Sequence, residues 1–459
     1  MADLHAPFAD STTSSGLDSP GLTISGTRRS RGCDGRTRRD FLRIGALGGS
    51  AFGGGMLSLP DLMSARAAAA EAGQAVKDTS VVWLWLGGGA THVETFDPKM
   101  SAPVEFRSIT GEVATTLPGV SLGGTFPLMA RQMESMAVVR SFAHRNSGHG
   151  GGTHWVMTGY DNRMVDNGGL PSRPSLGSIV SKYRGANHPT SGMPTYVRLN
   201  SITADGPAFL GAASAPFDPQ GQARKNMSLD TKLERLDNRR ELLGSLDRFR
   251  QEADHTGLME GLSKFEEQAF NLILGKAPGA FNLDKEPPHL VEKYGKGLGQ
   301  QMLLARRLCE AGCGFVTLHF GGWDMHGQIK RGMEQRGPEL DRAVAAFVED
   351  VRSRGLDQKI LLVITGEFGR TPRINRQAGR DHWAPLSTLA LAGGGLKMGQ
   401  VVGQSNPKVE TPHTQPISPQ DLMATVFDVL GIDRGLQFIN QGGRPVYMLE
   451  EGKPIAELV

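Results

Sequence analysis

The chain has 459 residues, 39% of them hydrophobic and 21% charged, which is enough for one large or two ordinary globular domains. Its formal net charge of +3 is close to neutral and excludes the strongly basic composition of a nucleic-acid-binding protein. The 61 Gly residues are spread through the chain, as expected where many loops turn tightly at the edge of a sheet.

The first 70 residues predict a disordered segment followed by an export signal. Residues 1–36 are rich in Ser, Thr, Gly and charge without periodicity, which predicts disorder. The segment TRRDFLR at 37–43 precedes a Gly/Ala-rich apolar stretch at 44–59 and the small-residue pattern ARA at 65–67. This order resembles a twin-arginine export signal; the alternative is a surface Arg cluster before a short buried helix.

The apolar stretch of this signal is too short and too Gly-rich for a permanent transmembrane span, and no other stretch of the chain qualifies. We therefore expect no stable membrane span. The expected partner is the twin-arginine export machinery, and the expected location of the soluble mature protein is periplasmic or extracellular.

The remaining chain, residues 76–459, alternates predicted strands and helices. Continuous apolar runs predict strands at 80–86 and 360–364, the latter typical of a strand buried on both faces of a parallel sheet. Further strands are predicted at 136–140, 195–199, 314–320 and 387–391. Helical periodicity predicts helices at 175–184, 300–311, 338–354 and 418–430, with Ser418 as the N-cap of the last and Pro419 at its first helical position. A charged stretch at 221–275 predicts two amphipathic helices, within an insertion at about 221–300. The order predicts an α/β protein, a three-layer α/β/α sandwich with a mostly parallel, doubly wound sheet.

Polar side chains follow four of the predicted strands. They are His92, Glu94 and Asp97 after the first strand; Ser147, His149 and Thr153 in the Gly-rich run 141–154; Asp324 and His326 after strand 314–320; and Glu367, Arg370, Asp381 and His382 after strand 360–364. Because ligands bind at the carboxyl ends of the strands in open α/β sheets, we expect one composite site along this edge. Each pair alone also fits a hydrogen-bonded structural role, and the Gly-rich run also fits a flexible surface loop.

The Asp, Glu and His residues of this set are ligands for a divalent cation such as Zn²⁺, Mn²⁺ or Ca²⁺. Asp324 and His326 with His382 would hold one ion. Glu367 with Asp97 or His92 would hold another. The Gly-rich run can bring hydroxyls and backbone N–H groups close to an anion.

Cys309 and Cys313 remain once the export signal is removed, and they lie at the predicted end of a helix. An oxidising compartment permits a disulfide between them. Side chains one helical turn apart nevertheless stand farther apart than a bridge allows, unless the backbone has already left the helix. A disulfide and two free thiols both stay open, and neither Cys is predicted to bind a metal.

Four segments resemble a known family: WLGGGATHVETFDPK at 85–99, HFGGWDMHGQ at 319–328, TGEFGRTP at 365–372 and GRDHWAP at 379–385. With the twin-arginine-like start, they resemble the exported bacterial family called domain of unknown function 1501, common in planctomycetes, over nearly all of 80–430. That family is placed in the alkaline phosphatase-like superfamily, with sulfatases, phosphopentomutase and cofactor-independent phosphoglycerate mutase.

This resemblance implies an α/β/α sandwich and a hydrolase of sulfate or phosphate esters, on a small molecule or a polysaccharide. The superfamily uses two divalent metals and a Ser or Thr nucleophile. By position, Asp324 and His326 resemble its Asp-then-His pair, at a narrower spacing. Glu367 resembles the Asp of its Ser-Asp-His-Gly turn, and His382 resembles its last metal-binding His.

The nucleophile implied by the resemblance lies in the segment 146–153, with Ser147 as first choice and Thr153 as second. Metal coordination would activate it, and the ions would stabilise charge on the reacting oxygens. His149 of the same run is a further catalytic candidate. Arg145 or Arg370 would hold a non-bridging oxygen of the ester.

The sequence departs from the superfamily pattern in two places. Phe368 stands where a His is usual, and the first strand ends in glycines where an Asp is usual. The second metal site is therefore either rebuilt from His92, Glu94 or Asp97, or lost. If it is lost, the alternative function is a non-catalytic protein that uses the same cleft to bind a ligand or an envelope partner.

Overall fold

The computed structural model of the protein describes residues 77–219 and 277–459. Its strands are β1 (Ser80–Trp85), β2 (Glu112–Ala114), β3 (Ser121–Gly123), β4 (Met136–Val139), β5 (Tyr196–Leu199), β6 (Phe315–His319), β7 (Ile360–Thr365), β8 (Gly369–Arg370), β9 (His382–Trp383), β10 (Leu389–Gly393), β11 (Gln400–Val402), β12 (Gln437–Ile439) and β13 (Pro445–Tyr447). Its α-helices are α1 (His92–Thr95), α2 (Pro127–Ala130), α3 (His149–Thr158), α4 (Leu176–Arg184), α5 (Pro288–Tyr294), α6 (Leu298–Glu310), α7 (Ile329–Ser353) and α8 (Pro419–Leu430).

Seven strands form the central sheet in the order β11-β4-β10-β7-β1-β6-β5. The strand β10 runs antiparallel to both of its neighbours, β7 and β4, whereas the other pairings in this sheet are parallel. All six predicted strands are present, with ends shifted by one or two residues. The predicted α/β class with a mostly parallel sheet is confirmed.

The central strand β1 shows why the sheet lies between two helical layers. All six of its residues are buried, and successive side chains point to opposite faces. Val82 and Leu84 belong to one core cluster, which includes residues of α6 and α7. Val81 and Trp83 belong to the other, which includes residues of α3, α4 and α8. A strand buried on both faces therefore fixes a three-layer arrangement.

The predicted helix starts were right for two helices and wrong for another. Ser418 caps α8 through a capping box with Asp421, and Gly431 ends it at φ 66°. The helix at 175–184 is α4, preceded by Ser175. In contrast, α7 begins at Ile329, nine residues before the predicted start at Pro338. Pro338 is exposed, so the carbonyl left without its N–H partner can bond to water.

The predicted disordered segment, the export signal and the amphipathic helices at 221–275 lie outside the described residues. Within the described ranges, no helix combines the length and the apolar composition that crossing a bilayer requires. Cys309 and Cys313 are both buried free thiols, so of the two alternatives the structure has the thiols.

Candidate metal centre

The candidate site lies at the carboxyl edge of the sheet. Because β1, β4, β6 and β7 are parallel, their carboxyl ends share this edge. The chain supplies His149 beyond β4, Asp324 and His326 beyond β6, and Glu367 and His382 beyond β7.

The glycine turn after β1 makes room for the two segments that carry most of these side chains. Gly88 and Gly89 have φ values of 106° and 77°, which other residues rarely adopt. A Cβ on Gly88 would lie 2.5 Å from the backbone nitrogen of Asp324, and one on Gly89 would lie 2.4 Å from the Phe368 ring. These two glycines therefore let the β6 and β7 loops approach the strand end.

A metal-ligand group forms at this edge. His149, Asp324 and His382 each offer one ligand atom, and these atoms lie within 4.8 Å of one another. His326 adjoins the group, because its Nε2 lies 3.0 Å from Asp324 Oδ1 and 3.0 Å from His382 Nε2. The structure thus brings together three residues predicted as ligands and His149, which the sequence predicted in a catalytic role.

Glu367 lies beneath this group and is almost completely buried, with 3% of its surface exposed. Its Oε1 accepts hydrogen bonds from the backbone N–H of Gly88 at 2.7 Å and from Nδ1 of His149 at 2.8 Å. The hydrogen bond to Glu367 raises the pKa of His149 above its ordinary value. Glu367 Oε2 has no hydrogen-bond partner among the described residues. An unpaired buried carboxylate oxygen beside the His149 imidazole fits a site that holds positive charge.

Arg370 lies behind Asp324 and is completely buried. The two-residue ladder of β8 with β9 places it opposite His382. Its Nη2 donates to Asp324 Oδ1 at 2.5 Å and to the carbonyl of Gly88, and its Nε donates to the carbonyl of Gly89 at 2.8 Å. Partial burial alone would raise the pKa of Asp324, but the hydrogen bond and charge of Arg370 lower it to about 2. Arg370 therefore keeps Asp324 ionised and faces away from the open cleft.

Phe368 forms an aromatic floor under two of the imidazoles. Its ring centroid lies 4.4 Å from that of His382 and 5.1 Å from that of His149. Burial, followed by the nearby charge of Arg370, lowers the pKa of His382. Phe368 thus packs against the ligand group and offers no ligand atom.

The two predicted nucleophiles have different surroundings. Ser147 is partly buried; its Oγ accepts the backbone N–H of Ala384 at 3.0 Å, and its carbonyl accepts Nδ1 of His382 at 2.9 Å. Thr153 is buried inside α3, where its Oγ1 donates to the carbonyl of His149 at 2.6 Å. Ser147 therefore lies against the ligand group, while the hydroxyl of Thr153 is bonded to its own helix.

The Gly-rich run was predicted as a loop, and from His149 onward this prediction was wrong, because helix α3 begins there. The glycines serve close packing. A Cβ on Gly152 would lie 2.8 Å from the backbone oxygen of Glu367 and 3.1 Å from that of Asn146. Glycine normally weakens a helix, but here it lets α3 pack against the β7 loop.

His92 and Asp97 lie outside the ligand group. They line a small pocket with Arg140 and Ser387, and its lining includes none of the ligand-group side chains. His92 Nε2 bonds the carbonyl of Val409 at 3.0 Å, and burial lowers its pKa. The Asp97 carboxylate accepts Ser405 Oγ at 2.5 Å and lies 3.5 Å from Arg140 Nε. The structure therefore does not bring these two residues together with Glu367.

Glu94, the third candidate for a rebuilt second site, is also engaged elsewhere. It is completely buried, and its Oε1 accepts Arg380 Nη2 at 2.8 Å.

Asp381 is a residue whose contribution the sequence left undefined. Its Oδ1 lies 2.7 Å from Nδ1 of His326, and this hydrogen bond lowers the pKa of Asp381. The position of Asp381 directly before His382 was the signal in the sequence that could have identified its contribution to the site.

The model of one protein family, described as "Protein of unknown function (DUF1501)", matches residues 78–459. Among curated proteins, none is detectably similar in sequence. Solved structures that resemble the chain include the sulfatase PsFucS1 from Pseudoalteromonas sp., with 13% identity, coverage of 82% of this chain and 72% of that one, and a TM-score of 0.38.

Two further structures are similarly distant. The lipoteichoic acid synthase LtaP from Listeria monocytogenes shows 10% identity, coverage of 84% and 77%, and a TM-score of 0.35. A TAB5 alkaline phosphatase mutant with bound Mg shows 12% identity, coverage of 78% and 99%, and a TM-score of 0.35. Similarities this distant do not establish a shared function or substrate.

Proposed function

The chain belongs to the DUF1501 family, and on that premise we propose that it is a metal-dependent hydrolase of sulfate or phosphate esters. The ester group is carried by a small molecule or a polysaccharide. The observation that carries the proposal is the group formed by His149, Asp324 and His382, whose ligand atoms lie within 4.8 Å of one another at the carboxyl edge of the sheet.

The electrostatics of the group support binding of a cation. The pKa of Asp324, at about 2, keeps this carboxylate charged at any physiological pH. Beneath it, the buried Oε2 of Glu367 has no hydrogen-bond partner among the described residues. The side chains of His149, Asp324 and His326 remain 44–45% exposed, so an ester can reach them from solvent. A bound divalent cation would supply Lewis-acid stabilisation of the charge on the ester oxygens.

The protein residues around this group have separate roles in the proposal. Ser147 is the nucleophile: its Oγ accepts the N–H of Ala384, so the hydroxyl is held in place while its proton stays available for transfer. Arg145 is exposed two residues before Ser147, where its guanidinium can pair with the oxygens of an anionic ester. Arg370 fixes Asp324 instead, because its N–H groups face Asp324 and backbone carbonyls.

A second candidate function is a non-catalytic protein that binds an anionic ligand or an envelope partner in the same cleft. Two observations favour it. Phe368 occupies the position where the superfamily has a His, and the residues considered for a second ion, His92, Glu94 and Asp97, have other partners. A site with one ion has less charge to stabilise a reacting ester than a site with two.

Hydrolysis of aryl sulfate and aryl phosphate esters by the purified full chain tests the enzyme against the binding protein. We expect turnover that a chelator abolishes and a divalent metal restores. Ser147→Ala should lose turnover, whereas the matched control Thr153→Ala should keep it. Equal turnover by wild type and Ser147→Ala would exclude Ser147, and the absence of turnover on both ester classes with metal bound would support the binding protein.

Export to the periplasm or beyond the cell, through the twin-arginine machinery, is a separate part of the proposal. Its support is the segment TRRDFLR at 37–43 followed by the apolar stretch and the ARA pattern. Replacing Arg38 and Arg39 by Lys should leave the protein in the cytoplasmic fraction. An unchanged distribution on cell fractionation would contradict this route.

A further inference from the structure

Two neighbouring segments beside the ligand group carry exposed cations. The segments are the start of α7, residues 328–331, and the loop 371–379, together called the basic rim below. Its exposed cations are Lys330, Arg331, Arg373 and Arg376. Neither segment contains an acidic residue, and none of these four side chains forms an ion pair with a residue that the structure describes. The rim therefore presents four positive charges to solvent without a counter-charge of its own.

The loop 371–379 lies directly against the candidate site. Asn375 Nδ2 donates to the backbone oxygen of His326 at 2.9 Å and to Asp381 Oδ1 at 3.2 Å. Arg373 and Arg376 flank Asn375 in the sequence, two residues before it and one residue after it. An anionic group bound by these two arginines would therefore lie beside the ligand group and outside it.

Backbone hydrogen bonds join the two segments of the rim. The N–H of Gln328 donates to the carbonyl of Gln377 at 3.0 Å, and the N–H of Ile329 donates to the carbonyl of Ala378 at 2.8 Å. Gln328 and Ala378 have φ values of 48° and 55°, in the left-handed region that side chains disfavour. Strained backbone of this kind persists where surrounding contacts fix it, and it is found at ligand clamps. The relative position of the two basic segments is therefore fixed.

We propose that the basic rim binds a polysaccharide that carries several sulfate or phosphate groups. One ester of the polymer enters the ligand group while the rim holds neighbouring anionic groups of the same chain. The inference rests on the proposed function for the role of this polymer as substrate. It adds a choice between the two carriers of the ester, because a small molecule with a single ester has no further anionic group to reach the rim.

The side chains of the rim suit an anionic sugar polymer. Three of its four cations are Arg, whose planar guanidinium can donate two parallel hydrogen bonds to the oxygens of a sulfate or phosphate group. The side chains of Gln328 and Gln377 are also exposed and make no hydrogen bond within the described residues. Their amides can donate to and accept from sugar hydroxyls. The rim thus combines groups for the charges of the polymer with groups for its hydroxyls.

The composition of the rim favours a polysaccharide over a nucleic acid. Residues 328–331 and 371–379 include no Phe, Tyr or Trp. Single-stranded nucleic acids are commonly held by aromatic side chains on which their bases stack, and the rim has none to offer. The net charge of the chain is only +3, without the excess of Lys and Arg that is typical of nucleic-acid-binding domains.

The exposure of the four cations determines how binding should respond to salt. Water and salt screen an exposed charge, so each single contact contributes little. Four cations beside one another act together on a polymer with several charges, and their field also speeds its association. We therefore expect an affinity that falls steeply as the salt concentration rises.

Fluorescence anisotropy of labelled dextran sulfate, phosphorylated dextran and neutral dextran, titrated with the full chain, tests the proposal. We expect binding of the anionic dextrans and none of neutral dextran, and the anionic dextran that binds more tightly identifies the group that the rim prefers. Replacing all four rim cations with Gln should weaken this binding about 10–100-fold at low salt.

A matched control removes the same amount of charge elsewhere. It replaces with Gln four exposed cations outside the rim, which are Arg131, Lys285, Arg444 and Lys453. This variant should bind the anionic dextrans as wild type does. Equal thermal unfolding of both variants and wild type would show that weaker binding of the rim variant does not come from misfolding.

Several outcomes would overturn the proposal. They are unchanged affinity of the rim variant, an equal loss in the control variant, binding of neutral dextran as tight as that of the anionic dextrans, or tighter binding of DNA than of either anionic dextran. Rim-dependent binding of an anionic dextran without hydrolysis of any ester would remove the proposed function and leave the rim. Hydrolysis of aryl esters, with dextran binding that does not depend on the rim, would do the reverse.

Discussion

Arg370 Nη2 donates to Asp324 Oδ1 over 2.5 Å from a position closed to solvent, although Asp324 itself is partly exposed. A buried cation thus supports a carboxylate at the surface of the cleft. The guanidinium also satisfies the carbonyls of Gly88, Gly89 and Arg380, so one side chain joins the β1 turn, the β6 loop and the β7 loop. The position of Asp324 depends on this junction.

We expect Arg370→Met to destabilise the protein by about 1–3 kcal/mol, because it leaves buried backbone carbonyls without donors. It should also raise the pKa of Asp324, since the main group that lowers it is gone. Urea unfolding measures the first effect. The control Arg373→Met changes an exposed Arg of the same loop and should cost less than about 0.5 kcal/mol. A similar small cost at Arg370 would contradict the role described for it.

His144 predicts an acid-dependent loss of stability. It is buried, and burial lowers its pKa from 6.5 to about 4. The unfolded chain therefore takes up a proton at a higher pH than the folded chain does, so stability present above pH 6.5 is lost as the pH falls towards about 4. The loss from this residue amounts to about 3 kcal/mol.

Replacing His144 with Gln should remove this part of the pH dependence. Urea unfolding of wild type and His144→Gln across that pH range measures the free energy of unfolding of each protein. The difference between the two free energies should shrink or change sign as the pH falls. The exposed His413→Gln serves as the control and should keep the wild-type profile. If the free energies of unfolding of His144→Gln and wild type changed in parallel with pH, His144 would not control the acid-dependent loss of stability.

Gly152→Ala should destabilise the protein, although alanine is the better helix former by about 1 kcal/mol. The added Cβ would meet backbone oxygens of Glu367 and Asn146 at 2.8 and 3.1 Å, and backbone atoms cannot move aside as a flexible side chain can. We expect a net loss of about 1–3 kcal/mol in chemical denaturation. Gly206→Ala, where a Cβ would have no neighbour within 4 Å, is the matched control. A stabilised Gly152→Ala would contradict the close packing of α3.

Metal removal should lower thermal stability, because a ligand that binds the folded chain alone stabilises it. Saturating Zn²⁺ at about 100 times its dissociation constant should add about 2.7 kcal/mol to the chelator-treated protein. Asp324→Asn should lose most of this gain, whereas Asp284→Asn, an exposed position outside the site, should keep it. A differential scanning calorimetry experiment that shows no shift with any divalent metal would argue against the metal site.

Much of the geometry could be predicted because it follows from topology. Apolar runs identify the strands, and parallel strands place Asp324, His326, Glu367 and His382 at one edge. The structure brings these four together. Their roles stay predictions, since convergence alone does not assign a ligand. The distinction between Glu367 as a ligand and as a residue behind His149 depends on the direction of its Oε1, which the sequence does not contain.

The structure differs from the predictions where contacts between residues distant in sequence determine the conformation. His92 and Asp97 meet Val409 and Ser405, more than 300 residues away, and no local pattern indicates those contacts. The helical state of the run after Gly148 depends in the same way on packing against the β7 loop. Local propensity predicts a loop there, and tertiary packing overrides it.

The reversed direction of β10 has a consequence for how this site can vary. Because β10 is antiparallel to β7, the end of β7 and the start of β10 lie at the same edge of the sheet. The chain between residues 366 and 388 is therefore one loop excursion that starts and ends at this edge and does not cross to the other edge. Glu367, Arg370, Asp381 and His382 all come from this excursion, yet the hydrogen bonds that hold β7 to β10 lie wholly outside it. Exchange of the tip at 371–379 therefore offers a route to altered ligand preference that leaves the architecture of the sheet untouched.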